Sequence, residues 1–172
     1  MSNRTRRAQI LVLVVVTSGV GSSLAASSSA RVPPTRRVPC SEASALQSAQ
    51  VSTGRRVLGM VVVPPRYLPQ VVKLPTKPWR YWTKAGLAIR AGSAPVGITV
   101  PVAWRDRAAI VWGNGPDLFS SLRIDSCASQ LGATWNGYAG GFYLQARSAC
   151  VPLIVRVGAR TATVRFGIGR KC

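Results

Sequence analysis

From Val57 onward the chain alternates between two faces. Val57, Gly59, Val61 and Val63 fall on one side of an extended backbone, and Leu58, Met60 and Val62 fall on the other. Both sets are largely apolar, so the run reads as a strand covered on both faces, and Pro64-Pro65 ends it. The same period recurs downstream. Leu87, Ile89 and Ala91 alternate with Ala88 and Arg90, and Val96, Ile98, Val100 and Val102 alternate with Gly97, Thr99 and Pro101. Leu118, Ser120, Leu122 and Ile124 alternate with Phe119, Ser121, Arg123 and Asp125. AGSAP and NGPD punctuate these runs as turns. No stretch after Val57 holds a 3.6-residue period over three turns. The pattern predicts an all-β fold: an antiparallel β-sandwich, Ig-like or jelly-roll-like, over residues 57–172.

The last third is the most regular. Val151, Leu153, Val155 and Val157 share one face, as do Ala162, Val164, Phe166 and Ile168. A slip of one residue would turn every side chain to the wrong face, so matching the two apolar faces predicts a hairpin. The expected register sets Val157 opposite Ala162 and Val155 opposite Val164, with residues 158–161 as the loop. Upstream, GGFYLQAR alternates as a strand with Phe142, Leu144 and Ala146 on its apolar face. Gly140-Gly141 marks a bulge or a close backbone approach, and Asn136-Gly137 in the preceding WNGY reads as a turn.

The N-terminal residues carry a different pattern. Arg4, Arg6 and Arg7 precede an apolar run densest from Ile10 to Val16, and SSLAASSSA follows. This order of charged, apolar and small-residue regions is that of a secretory signal peptide, expected over residues 1–26. Residues 27–56, rich in Ser, Ala, Pro and Arg, read as a tether, with a short helix over residues 41–49 capped by Ser41. Cys40, Cys127, Cys150 and Cys172 all lie beyond the signal, so an exported chain would use them as two disulfides. Three pairings are possible; the one preferred here is Cys127–Cys150 with Cys40–Cys172.

WNGYAGGFYL, CVPLIVRVG and TVRFGIGRKC together resemble the C-terminal signature of an uncharacterised family of small exported proteins from high-GC actinobacteria. AGLAIRAGSAPVGITVP and RAAIVWGN resemble its earlier part. The resemblance implies export and a class of organism, and it implies no activity.

Charge narrows the functions. The chain has 23 Lys and Arg against 4 Asp and Glu, no His, and a net charge of +19. Loss of residues 1–30 would remove three Arg and no acid, leaving +16 on the exported part. Such a surface attracts polyanions of any kind. General acid–base chemistry has little to work with: the carboxylates are Glu42, Asp106, Asp117 and Asp125. Asp106 stands between Arg105 and Arg107, the setting of an ion pair, and Asp117 follows Gly115-Pro116 as a turn residue. A Ser-His-Asp or Cys-His site is excluded by the lack of His, and no CxxC, SxxK or GxGxxG motif points to redox, acyl-transfer or nucleotide chemistry. The expectation is a non-enzymatic domain without metal or cofactor.

KLPTKPWRYWTK, residues 73–84, is the candidate binding stretch. Lys77, Arg80 and Lys84 interleave with Trp79, Tyr81 and Trp82, and aromatic planes beside cations suit stacking on sugars or a membrane interface. An ordinary edge strand would split this set, with Trp79 and Tyr81 on one face and Arg80 and Trp82 on the other. The expected function is binding of an anionic envelope polymer or lipid surface, with no specific nucleic acid. The alternative is a structural or protein-interaction domain of the cell envelope, joined to a protein partner by strand addition along the apolar GMVVVPP.

Overall fold

A computed structural model describes residues 35–75 and 77–172 of the chain. The expected signal peptide, and residues 27–34 of the expected tether, lie outside the described residues.

The described chain is almost wholly β, in three sheets whose inner faces share one core. The six-stranded sheet runs β1 (Arg36–Val38), β11 (Ser121–Ile124), β9 (Val96–Thr99), β14 (Ala149–Val157), β15 (Arg160–Ile168) and β5 (Tyr67–Leu68). The four-stranded sheet runs β10 (Ala108–Trp112), β13 (Gly140–Leu144), β7 (Tyr81–Lys84) and β6 (Val72–Lys73). The five-stranded sheet runs β2 (Ser44–Leu46), β12 (Trp135–Tyr138), β8 (Leu87–Arg90), β4 (Val61–Val63) and β3 (Arg55–Val57). Pairing is antiparallel except for β1 with β11 and β5 with β15.

Two pairs of consecutive strands each pass from one sheet into another. The chain leaves β7 through Ala85-Gly86 and enters β8, and it leaves β12 through Ala139 and enters β13. Since β12 pairs with β8 and β13 with β7, these segments form one long antiparallel ribbon that bends from one sheet into the next. Its corner is held by Ala85 N–H donating to Gly140 C=O at 2.8 Å and by the buried Trp112 Nε1 donating to Ala85 C=O at 2.8 Å. A Cβ on Gly140 would collide with the Val111 carbonyl, and one on Gly141 with the Thr83 carbonyl. Only glycine lets β13 lie this close to its neighbours, as the sequence led one to expect. Phe142 then drops into the core, edge-on to Trp112 at 5.5 Å and 5.2 Å from Phe166 of the six-stranded sheet.

Several expectations are corrected. Asn136-Gly137 is not a turn but the middle of buried β12, where Gly137 leaves room for Leu46 of β2. The Asn136 side chain faces the loop after β11 and donates Nδ2 to the carbonyls of Cys127 and Ala128, at 3.3 and 3.0 Å. The β14–β15 hairpin keeps the expected matching of faces but shifts the register by two: Val155 faces Ala162 and Leu153 faces Val164. The loop shrinks to Gly158-Ala159, with Gly158 at φ +56°, the glycine-first arrangement of a tight hairpin turn. GMVVVPP is no open edge, since β4 is paired with β3 on one side and β8 on the other.

Residues 35–56 are no tether. They supply β1, β2 and the start of β3, and residues 41–49 form no helix: two short 3-10 turns, Cys40–Glu42 and Ser48–Val51, flank β2. Local helix propensity yields here to pairing of β2 with β12. The expected disulfides are likewise replaced, for Cys40 bonds Cys127, with Cα atoms 5.4 Å apart. The parallel pairing of β1 with β11 is the reason. Val38 faces Ile124, so both strands run out of the sheet in the same direction and their next residues meet. Hence neither Cys127–Cys150 nor Cys40–Cys172 exists. A disulfide of this kind suits an oxidising compartment.

Two outcomes test this packing. Gly141→Ala should destabilise the protein by about 3 kcal/mol in urea unfolding, because a backbone carbonyl rather than a flexible side chain must give way. Tyr138, buried at 2 % exposure with its hydroxyl donating to Cys127 Sγ at 3.6 Å, has its phenol pushed up to about 12, first by burial and then by Asp125 and Glu42. The unfolded chain ionises this group near 10.0. Its contribution to stability is therefore complete below that value and declines as pH rises from there towards 12. Absorbance titration should show a phenolate component near 12 that Tyr138→Phe removes.

Candidate functional site

The structure splits the residue 77–84 cluster between two faces. Trp79 is buried and Tyr81 is half-buried against the core. Buried Thr83 follows on the same side and donates its hydroxyl to Gln70 C=O at 2.6 Å. Arg80 and Lys84 are exposed, Trp82 is half-exposed, and Lys77 is exposed in the preceding loop. Strand alternation puts Arg80, Trp82 and Lys84 on the outer face of the four-stranded sheet. There Trp82 lies between Val72 of β6 and Tyr143 of β13 in one cross-strand row. Two of the three aromatic rings of the cluster thus face inward, and the third, Trp82, lies beside Tyr143 of β13 and between two cations.

A second surface, absent from the reading of the sequence, gathers more charge. On the outer face of the six-stranded sheet the registers align Arg37, Arg123, Gly97, Arg156 and Thr161 in one row across five strands. Gly97 has no side chain to fill the space between Arg123 and Arg156. A hollow of about 500 Å³ opens there, lined also by Thr99, Ser121 and Ile154, with the two hydroxyls hydrogen-bonded to each other at 2.8 Å. Adjacent strands lie about 5 Å apart, so the backbones of β11 and β14 hold the two guanidinium groups on either side of a gap of roughly 10 Å.

The charges of this row are unequal in their partners. Arg37 Nε donates to both oxygens of Asp125, at 2.9 and 2.8 Å. The other ion pairs among the described residues are Arg36–Glu42 at 2.6 Å and Arg107–Asp106 at 4.0 Å. Neither Arg123 nor Arg156 has a carboxylate partner among the described residues. Glu42, expected in the tether, is half-buried and also accepts the Asn114 N–H at 2.6 Å, so it is committed to structure.

A second hollow, about 620 Å³, lies at the β15 edge of the same sheet. Arg55, Arg66, Arg165 and Lys171 line it, and no acidic residue does. Arg55 is the anchored member. Its guanidinium stands 5.3 Å from the centre of the Phe166 ring, and its Nε is buried without a hydrogen-bond partner. Burial, and then the neighbouring Arg66, pull its pKa below the ordinary range. A cation held in this way lacks a counter-charge.

These residues sit in chemically ordinary places in the sequence: Arg123, Arg156 and Arg165 are the polar positions of alternating strands. Their one visible signal was the choice of Arg where Thr or Ser would serve. Only the pairing of β11, β9 and β14 shows that two of them flank a glycine. No family model matches the sequence, and no curated protein matches it either.

The division of the aromatic cluster gives a direct test. Trp79→Ala should cost about 3–5 kcal/mol of stability, the usual result of emptying a core aromatic site. Trp82→Ala should cost on the order of 1 kcal/mol. Thermal unfolding of the two variants side by side reads the difference.

Proposed function

We propose that this protein is an exported, non-enzymatic β-domain that binds an anionic envelope polymer through the outer face of its six-stranded sheet. The observation that carries the reading is the pair Arg123 and Arg156, facing each other across Gly97 without carboxylate partners. Two like charges held on either side of one strand, roughly 10 Å apart, repel each other, and glycine between them removes the side chain that would separate or screen them. An anion lying along the row relieves that repulsion. The second hollow, with four cationic side chains and no Asp or Glu, extends the same footprint.

A polymer suits this face better than a lipid surface. Its outward residues are mainly Arg, Thr and Ser, with half-buried Pro152 and Ile154 and with Tyr67 partly exposed at the β5 edge, whereas the most exposed large apolar side chains, Val102 and Leu131, lie outside this sheet. A face whose apolar side chains are mostly half-buried between arginines has little to insert below headgroups. Export rests on the signal-peptide pattern of residues 1–26, and the Cys40–Cys127 disulfide agrees with it. A protein partner joined by strand addition would need an edge other than β4, since both sides of that strand are paired.

The test is co-sedimentation of the oxidised protein with purified anionic wall polymer, anionic liposomes and uncharged polysaccharide, each across a salt series. Binding to the polymer at low salt, released as salt rises, is expected, because screening over about 8–10 Å covers the spacing of these charges. Arg123→Gln with Arg156→Gln should weaken it about tenfold at moderate salt, while Arg80→Gln with Lys84→Gln should change it little. Salt-resistant binding to the uncharged polysaccharide would transfer the site to Trp82 and Tyr143. Preference for liposomes would make the ligand a membrane, and absence from all three pellets would end the reading.

A further inference from the structure

The disulfide between Cys40 and Cys127 leaves two cysteines, and the fold brings them together. The hairpin register sets Cys150 of β14 directly opposite Gly167 of β15. After β15 the chain reverses at Gly169, whose φ is +65°. The reversal is anchored from outside the hairpin: Gly167 N–H donates to Arg66 C=O at 2.7 Å and Gly169 N–H donates to Leu68 C=O at 2.9 Å. The returning segment lies over Gly167. A Cβ there would collide with the Arg170 carbonyl and come within 2.9 Å of Cys172 N and 3.1 Å of Lys171 Cα. Glycine at 167 therefore makes the space through which the chain passes back over the hairpin.

That path ends on Cys150. Its thiol donates to the Lys171 carbonyl at 3.9 Å, and Cys172, the next residue, brings its own thiol alongside Cys150. Cys150 is half-buried and Cys172 exposed, so a soluble oxidant can reach them. We propose that Cys150 and Cys172 form a second disulfide, a clasp that fastens the segment after β15 onto β14. Two thiols placed side by side by a glycine-dependent reversal, in a chain whose other two cysteines are already bonded, are within reach of a bridge.

The chemistry is thiol–disulfide exchange with a disulfide oxidant, either a low-molecular-weight one such as glutathione disulfide or a protein disulfide. Attack by Cys150 opens the exchange, and attack by Cys172 in its place gives the same product. The Cys150 thiolate displaces one thiolate from the oxidant and forms a mixed disulfide. Cys172 then loses its proton, attacks the Cys150 sulfur and displaces the rest of the oxidant. Two thiol protons leave, one S–S bond forms in the protein, and the oxidant's S–S bond is reduced to two thiols. The clasp also fixes Lys171 beside Arg55, Arg66 and Arg165, and so completes the wall of the cationic hollow they share.

The experiment is peptide mapping of the full chain after equilibration with excess glutathione disulfide and blocking of residual thiols. Digestion should follow Arg only, because cleavage after Lys171 would release Cys172 as a single residue that resembles a cysteine adduct. The expected product joins residues 148–156 to residues 171–172, beside a second one joining residues 38–55 to 124–147. Cys172→Ser should leave the second product intact, leave Cys150 carrying glutathione or a free thiol instead of a bridge, and lower the melting temperature by on the order of 10 °C. Blocked thiols at both Cys150 and Cys172 in the unaltered chain, glutathione retained on either one, or a bridge from either to Cys40 or Cys127 would overturn the proposal.

Discussion

The fold turns on the close approach of three backbones at Gly140 and Gly141. There β13 lies between β10 and β7, with the Val111 and Thr83 carbonyls occupying the space that side chains would take. That contact allows one ribbon to bend from the five-stranded sheet into the four-stranded sheet, and it brings Phe142 between Trp112 and Phe166. The three rings connect the four-stranded sheet to the six-stranded one through the middle of the core. Without the two glycines β13 would stand away from its partners, and the ring contacts, each sensitive to fractions of an ångström, would be lost.

The N-terminal described residues depend on this frame. β1 adds to the edge of the six-stranded sheet, β2 adds to β12 at the far end of the five-stranded one, and the chain between them is held by three polar devices. Glu42 joins Arg36 to the Asn114 backbone, Arg37 grips Asp125, and Cys40 is bonded to Cys127. Asn136, buried inside β12, in turn fixes the loop that carries Cys127. Three of the four carboxylates in the chain lie in ion pairs, Glu42 and Asp125 half-buried at this seam and Asp106 with its exposed neighbour Arg107. The scarcity of acid thus leaves the charges on the outer sheet faces almost wholly positive.

What the sequence made legible was periodicity. Strands at 87–90, 96–99 and 121–124, and the long pair at the end, follow from alternation alone, whereas the run 57–63 is not one strand: residues 58–60 turn, with Leu58 at φ +53° and Gly59 at φ +73°, and set β3 antiparallel to β4. Alternation does not report partners. Val155 could face Ala162 or Val164 with equal matching of faces, and the choice fell to a two-residue turn that glycine at 158 permits. Asn136-Gly137 carries the composition of a turn, yet its glycine serves to admit Leu46 and its asparagine to satisfy buried carbonyls. In both cases local preference was overruled by a contact from a distant strand. The cysteine pairing failed for the same reason, since it depends on a parallel contact between β1 and β11 that no local pattern announces.

The binding face shows the same dependence on register at the level of function. KLPTKPWRYWTK looked like a site because its charges and rings are adjacent in sequence, but adjacency in a strand sends neighbours to opposite faces. Arg123 and Arg156 are far apart in sequence and lie in one cross-strand row. A high net charge by itself gives a diffuse field that any polyanion can feel. A row of guanidinium groups set across strands, with a glycine gap and hydroxyls between them, is directional: it presents charge along a line at the spacing of the sheet. It is this arrangement rather than the total charge that distinguishes one face of the molecule from the rest.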